Sequence, residues 1–219
     1  MRAFLEEFYE RRSEVRRYIA IVVHTESTLS DVNRRKFDSD INTFRAGAIL
    51  ILYNAIEASA RLGIEAIYDE LASTRPKFGS LRETIRKRVI RDFKNNASAD
   101  VHNRLQNIAI DLVIESFQAD KLFSGNVDAR EIRKKSDEYG FDISSEYQKT
   151  GNGSSLLTIK SNRNDLAHGW KSFSQVGRDF TSNDLKKIQR LSMNYMESVL
   201  LHIDRYIEES HYLDEVISA

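Results

Sequence analysis

The chain contains no cysteine, one proline and nine glycines among its 219 residues. Without cysteine it can form no disulfide, thiolate metal site or cysteine nucleophile, and the cytoplasm is the default location. Few prolines and glycines mean few points at which a helix must break. Because 41% of the residues are hydrophobic and 30% are charged, the composition favours amphipathic helices over a sandwich or barrel. We therefore predict an all-α fold.

Excess charge and long apolar runs are also absent. Lysine plus arginine and aspartate plus glutamate number 33 each, which argues against a protein that coats nucleic acid through bulk charge. No apolar run approaches the ~20 residues of a membrane span. The N-terminus is acidic where a signal peptide would be apolar. We expect a soluble protein with no membrane partner.

Contact with a polyanion would then require a local basic patch. Arginine and lysine cluster at residues 11–17, 34–36 and 82–94. Solvated helix faces are routinely basic, so each cluster is also explained as the outer face of a helix. The sequence alone leaves both interpretations open.

Hydrophobic periodicity and capping residues divide the chain into helices. We predict helices over residues 2–25, 41–62, 64–71, 81–94, 99–117, 127–139, 156–167 and 181–209. The run 41–62 is hydrophobic on all sides and should be the buried spine, with Gly63 kinking it or relaying it into the next helix. Ser80 and Glu83 have capping-box spacing, and residues 141–145 are a candidate extended segment. No stretch resembles an interdomain linker, so we predict one domain over residues 1–219.

The most informative stretch covers residues 163–169, RNDLAHG, at the end of a predicted late helix. Three pairs have an arginine followed by a histidine after four to six residues: Arg17 with His24, Arg163 with His168, and Arg205 with His211. Spacing alone is a weak signal, and the first and third pairs lie on ordinary charged amphipathic helices. The pair Arg163 and His168 has more context, because a polar residue follows the arginine, Gly169 follows the histidine, and Trp170 and Phe173 come next.

In this context the stretch resembles the motif of the HEPN superfamily, in which arginine and histidine lie four to six residues apart near the end of a late helix. Similarity to the restriction- and toxin-associated HEPN subgroup extends, in order and spacing, to residues 52–57, 124–129 and 134–140. It therefore spans about residues 44–208. The resemblance implies an up-and-down helical bundle with additional helices. It also implies a metal-independent ribonuclease that leaves 2′,3′-cyclic phosphate and 5′-hydroxyl ends.

The partners implied by the resemblance are an RNA substrate, with tRNA as one candidate, a second copy of the chain docked through the motif helix, and an antitoxin or defence-system protein. No cofactor or metal is expected. The sequence has no zinc-protease helix motif, phosphate-binding loop or dinucleotide glycine pattern, and its other histidines lack metal-ligand spacing.

Helix geometry constrains the pair. Five positions on a helix rotate by about 140°, so Arg163 and His168 do not share one face of a regular helix. We expect Gly169 to end the helix and let the imidazole turn back towards the arginine. The alternative is a histidine that only caps the helix C-terminus, where its charge favours the helix dipole.

The two side chains suit RNA cleavage, in which the 2′-hydroxyl attacks the adjacent phosphodiester. Histidine, with an unperturbed pKa of about 6.5, exchanges protons near neutral pH, so His168 is the candidate general base or acid. Arginine offers a charged planar fork for phosphate oxygens, so Arg163 is the candidate for transition-state stabilisation. Asn164 and Asp165 are candidates for orienting the imidazole or contacting ribose, or are exposed loop residues.

Asn54 and Glu57 are polar residues on the most apolar predicted helix. Buried carboxylates need partners. Glu57 either pairs with Arg61 one turn on or approaches Arg163 and the cleft. Both residues are therefore supporting candidates.

Three functions remain open at this stage. The first is an endoribonuclease in a toxin or antiphage defence role. The second is a catalytically inactive HEPN module that binds RNA or a partner protein, because a fold alone confers no activity. The third is a purely structural dimerisation domain, which would leave Arg163 and His168 exposed and unpaired.

Overall fold

The computed structural model describes residues 1–96, 117–119, 122–123 and 125–214. Within these residues the chain is helical and has no strand, only an isolated antiparallel bridge between Leu81 and Leu213. The helices are α1 (Ala3–Thr28), α2 (Asp31–Lys36), α3 (Asp38–Thr74), α4 (Glu83–Asn96), α5 (Ala129–Tyr139), α6 (Tyr147–Thr150), α7 (Ser154–Ala167), α8 (Phe173–Arg178) and α9 (Ser182–Glu208). Short 3-10 helices cover Phe78–Ser80 and Gly151–Gly153. The all-α prediction is confirmed.

Helix α3 is the central element of the fold. It packs against α1, α7, α8 and α9, and α1 and α9 also pack against each other. Its residues Ile49, Leu52, Tyr53 and Ile67 are completely buried, as expected for a helix that is apolar on all sides. Among the described residues, α3 is also the one helix long and apolar enough to cross a membrane, and 56% of its qualifying stretch is buried within the protein.

The predicted break at Gly63 is wrong, because α3 runs through this glycine without interruption. A Cβ atom added at Gly63 would lie 2.9 Å from side-chain atoms of Leu200 and Ile203 on α9. The glycine therefore serves the close approach of α3 and α9 rather than a kink.

Local hydrogen bonds account for three further differences from prediction. The Ser80 hydroxyl donates to the Lys77 carbonyl (2.7 Å) within a 3-10 turn, so no capping box forms and α4 starts at Glu83. Residues 141–145 form no strand, because the Asp142 carboxylate accepts hydrogen bonds from the amide (3.1 Å) and hydroxyl (3.0 Å) of Ser144. The short helix α8 was not predicted, although Ser172 and Gln175 form a capping box at its start.

The last helix was predicted well. Thr181 caps α9 through a complete capping box with Asp184, and the helix ends at Glu208. Helix α5 ends before Gly140, which has φ +83°. The predicted helix over residues 99–117 lies outside the described residues, apart from Phe117.

Candidate functional site

The site is built on the C-terminal end of α7. The helix ends at Ala167, and Gly169 has φ +68°, the left-handed conformation that glycine adopts without strain. The Gly169 amide donates to the Leu166 carbonyl (3.2 Å) and the Trp170 amide to the Asp165 carbonyl (2.9 Å), the hydrogen bonds of a Schellman motif. Gly169 thus ends the helix as predicted and places His168 at its C-terminal cap.

The Arg163 guanidinium is held from three sides. Its Nη1 donates to the Gly125 carbonyl (3.3 Å) and to Asn164 Oδ1 (3.0 Å). Its Cζ lies 4.6 Å from the centroid of the Tyr53 ring, a cation–π contact with a fully buried side chain of α3. Among the described residues, the other guanidinium N–H groups make no hydrogen bond, so they remain able to donate to an anion.

His168 lies on the surface. Its ring stacks on that of Trp170, with centroids 4.9 Å apart and an interplanar angle of 29°. Trp170 itself is 73% exposed. Neither imidazole nitrogen has a hydrogen-bond partner in the part of the chain that the structure describes, so both are accessible for proton exchange.

Within one chain the structure does not bring these two side chains together. Arg163 faces Tyr53 and the segment before α5, whereas His168 faces Trp170, and no hydrogen bond joins the two. The expected return of the imidazole towards the arginine is not observed. This separation follows from the rotation of about 140° between positions five apart on a helix.

Of the two neighbouring polar residues, Asn164 binds the arginine and Asp165 binds Lys171. Asn164 accepts from Arg163 and donates through Nδ2 to Asn126 Oδ1 (3.0 Å). The Asp165 carboxylate forms an ion pair with Lys171 (2.9 Å), and this hydrogen bond raises the pKa of the Lys171 ammonium group. Asp165 therefore fastens the turn after the helix and does not contact the imidazole.

Of the two polar candidates on α3, one lies next to this cluster. Glu57 is half-buried and interacts electrostatically with the Tyr53 hydroxyl. The pKa of Tyr53 is raised, mainly because its hydroxyl is buried, and the Glu57 carboxylate raises it further. The hydrogen bond from the Val127 amide and the charge of Arg163 act in the opposite direction. Glu57 and the guanidinium thus both act on this hydroxyl. Asn54, the other supporting candidate, is exposed.

Sequence reasoning missed Tyr53 as a site residue. Its hydroxyl accepts a hydrogen bond from the buried Val127 amide (3.2 Å), and its ring supports Arg163. A tyrosine in the buried stretch of an apolar helix needs a partner for its hydroxyl. This need for a hydrogen-bond partner is the feature of the sequence that could have identified Tyr53 as a site residue.

A second missed pair, Asp128 and Lys160, fastens α5 to α7. Asp128 Oδ1 caps α5 by accepting from the amides of Arg130 and Glu131 (both 2.9 Å), and its other oxygen pairs with Lys160. Burial raises the pKa of the Asp128 carboxyl, but the hydrogen bonds from Lys160 and the Glu131 amide outweigh it, and the pKa is lowered overall. Lys160 lies one turn before Arg163, so this ion pair fixes the segment that contacts the guanidinium.

The described part of the chain contains no group of three or more histidine, aspartate and glutamate side chains that could hold a metal ion. The side chains described at the site are one oriented guanidinium, one exposed imidazole and the Asn164 amide.

Comparison with known proteins assigns the family. The model of the family described as HEPN_MAE_28990-like HEPN matches residues 2–212. Neither the curated proteins nor the solved structures include a match to the chain. The match covers both the helical core and the Arg163 and His168 stretch, and so the chain belongs to the HEPN superfamily.

Proposed function

We propose that this protein is an endoribonuclease that cleaves RNA by attack of the 2′-hydroxyl on the adjacent phosphodiester. HEPN families include ribonucleases. The observation that carries the proposal is the end of α7, where a guanidinium fixed by Tyr53, Gly125 and Asn164 retains unused donors and an exposed imidazole has both nitrogens free.

In the proposed reaction an imidazole takes the proton of the 2′-hydroxyl while that oxygen bonds to phosphorus. The bond from phosphorus to the 5′ oxygen breaks, and the leaving oxygen takes a proton from an imidazolium. The products are a 2′,3′-cyclic phosphate and a 5′-hydroxyl. Arg163 donates hydrogen bonds to the phosphate oxygens as their charge grows.

We place the active cleft between two copies of the chain. The reaction needs a base and an acid, yet the motif supplies one histidine, and in a single chain that histidine does not reach Arg163. A two-fold contact through α7 would present two His168 and two Arg163 side chains to one cleft. The exposed apolar side chains Leu157 (56%), Trp170 (73%) and Phe173 (41%) on and after α7 suit such a contact.

The test is cleavage of total RNA by the purified protein in excess chelator, with analysis of the product ends. We expect cyclic phosphate ends, and a loss of rate of about 10²–10⁴-fold in His168→Ala and about 10²–10³-fold in Arg163→Ala. Arg17→Ala and His24→Ala are matched controls, because this exposed pair has similar spacing but lies on α1. Arg163→Lys separates loss of charge from loss of the planar fork.

Mixing the two inactive variants tests the shared cleft. A dimer of one Arg163→Ala chain and one His168→Ala chain retains one arginine and one histidine. We expect its activity to exceed that of either variant alone, because it keeps both types of side chain in one cleft, but to stay below wild type, because one of the two imidazoles is missing. Full activity of a protein shown to be monomeric would contradict the two-chain cleft.

A second candidate function, an inactive HEPN module that binds RNA or a partner protein, is favoured by the separation of Arg163 from His168 within one chain. RNA binding without cleavage in the same experiment identifies it. For the active enzyme we propose a cytoplasmic toxin or antiphage role, with tRNA as one candidate substrate and an antitoxin or defence-system protein as regulator. Growth arrest on expression, relieved by His168→Ala, tests that role.

A further inference from the structure

A basic groove lies between α4 and α5, and its lining includes neither Arg163 nor His168. It has a volume of about 600 Å³ and is lined by six cations, three from each helix, and two carboxylates, a net charge of +4. The cations are Lys87, Arg88 and Arg91 of α4 and Arg130, Arg133 and Lys134 of α5. The chain as a whole has no net charge, so this groove concentrates positive charge that is balanced elsewhere.

The groove differs from two separate helix faces in its arrangement of charge, although the side chains of Lys87 (71%), Arg91 (56%) and Lys134 (61%) are largely exposed. Lys87 and Arg91 are four residues apart on α4, and Arg130 and Lys134 are four residues apart on α5, so each helix carries a row of like charges, which is destabilising. The two rows line the same groove instead of pointing to separate regions of solvent. Such an arrangement is stabilised when an anion lies between the rows.

Carboxylates within the chain satisfy only part of this charge. Glu138 accepts from Arg88 (2.6 Å) and Arg91 (3.1 Å) and also binds the buried Lys135. Lys87 pairs with Glu83 (2.7 Å) and Lys134 with Glu131 (3.6 Å), but the two lysine side chains are 71% and 61% exposed, and exposed pairs contribute little. Phosphate groups can replace such exposed partners without exposing a buried charge.

The helix α5, which forms one side of the groove, directly follows in sequence the segment that contacts Arg163 and Lys160. The Gly125 carbonyl that holds Arg163 and the Asp128 carboxylate that binds Lys160 lie just before α5. Arg130, in the first turn of α5, is the start of the basic row. Segment 125–128 thus joins the residues that hold Arg163 to the first turn of α5.

We infer that this groove binds the sugar–phosphate backbone of single-stranded RNA next to the cleaved bond, an inference that rests on the proposed ribonuclease function. Four helical residues advance by about 6 Å, comparable with the spacing of successive phosphates in an extended strand. Backbone contacts of this kind give affinity without base specificity. The groove thus supplies binding energy remote from the chemistry.

The experiment measures binding of a fluorescent oligouridylate about 12 nucleotides long, within known single-strand site sizes. All proteins in this experiment carry His168→Ala, so that the RNA is bound but not cleaved. Lys87→Gln, Arg130→Gln and Lys134→Gln are combined as the groove variant. The matched control combines Arg16→Gln, Arg17→Gln and Lys186→Gln, which are exposed and remove the same charge outside the groove. Thermal melting confirms that both triple variants fold.

If each of the three replaced cations contacts one phosphate, the groove variant loses about 0.7 per phosphate, or about 2 in total, from the magnitude of the slope of log K against log salt concentration. At 0.1 M salt this corresponds to a loss of affinity of about 100-fold. The control should bind like the parent protein. Equal affinity of groove variant and parent overturns the inference, and so does equal weakening of both triple variants.

A dinucleotide substrate separates this inference from the proposed function, because it is too short to reach the groove. With His168 restored, we expect the groove variant to keep its kcat/KM on the dinucleotide and lose it on long RNA. Groove-dependent RNA binding by a protein that cleaves neither substrate would support the groove and refute the nuclease. Cleavage of both substrates that is unchanged in the groove variant would refute the groove alone.

Discussion

Replacing Tyr53 by phenylalanine tests the support of the candidate site most directly. Tyr53 is fully buried on α3, its ring lies under the Arg163 guanidinium, and its hydroxyl accepts from the Val127 amide at 3.2 Å. The substitution keeps the ring and therefore the cation–π contact. It removes the acceptor that the described residues provide for the buried Val127 N–H group.

The expected loss of stability follows from that amide. Val127 is 1% exposed, so water does not readily replace the lost hydroxyl, and an unsatisfied buried donor costs about 1–3 kcal/mol. For a chain of this size, about 2 kcal/mol lowers the melting temperature by about 4–8 °C. Thermal unfolding followed by circular dichroism measures the change.

The effect on activity follows from the position of the amide. The segment 125–128 carries the Gly125 carbonyl that orients Arg163, so loosening it should displace the guanidinium. We expect kcat/KM on RNA to fall about tenfold in the folded protein, which corresponds to about 1.4 kcal/mol of lost transition-state stabilisation.

Tyr206→Phe is the matched control. Its buried hydroxyl donates to the Tyr139 carbonyl at 2.6 Å, and none of the hydrogen bonds or ring contacts of its side chain involves Arg163 or His168. This variant should lose similar stability but retain its rate below the melting temperature. A wild-type melting temperature for Tyr53→Phe would refute the argument from the buried amide, and equal loss of rate in both variants would refute its link to Arg163.

Two further predictions concern packing and pH. Gly177→Ala should destabilise the protein by about 3 kcal/mol or more in denaturant titrations, because its Cβ would lie 1.7 Å from the Asn42 carbonyl oxygen; Gly79→Ala, with nothing within 4 Å, is the control. Asp128→Asn keeps a capping oxygen but loses the ion pair with Lys160. Because folding lowers the pKa of Asp128, its stabilisation is complete above the unfolded value of about 3.9 and is lost as pH falls towards the folded value. The variant should therefore melt below wild type at pH 7, with the difference closing below about pH 4; a constant difference would contradict the assignment.

The parts of the fold that sequence predicted are those fixed by neighbouring residues. Thr181 and Asp184, three residues apart, predict the start of α9 through their capping box. Gly169 predicts the end of α7. Gly63 was misread because its role depends on Leu200 and Ile203, which are distant in the chain. A glycine inside a helical pattern indicates either a break or a close helix contact, and local sequence does not choose between them.

The same distinction applies to the candidate site. The motif predicted that His168 would lie at a helix end, because that outcome depends on one glycine two positions from the last helical residue. The surroundings of Arg163 were not predictable in this way. They come from Tyr53 on α3 and from Gly125 before α5, and no periodicity connects either residue to position 163.

The segment 125–128 explains why the site and the basic groove belong together. Through Gly125 it holds the guanidinium, through Val127 it is bound to α3, and through Asp128 it is bound to α7. The next residues begin α5 and its basic row. A shift of this segment would therefore disturb both the contacts of Arg163 and the start of α5. In the proposed enzyme, such a connection would let binding energy from the groove be used at the reacting centre.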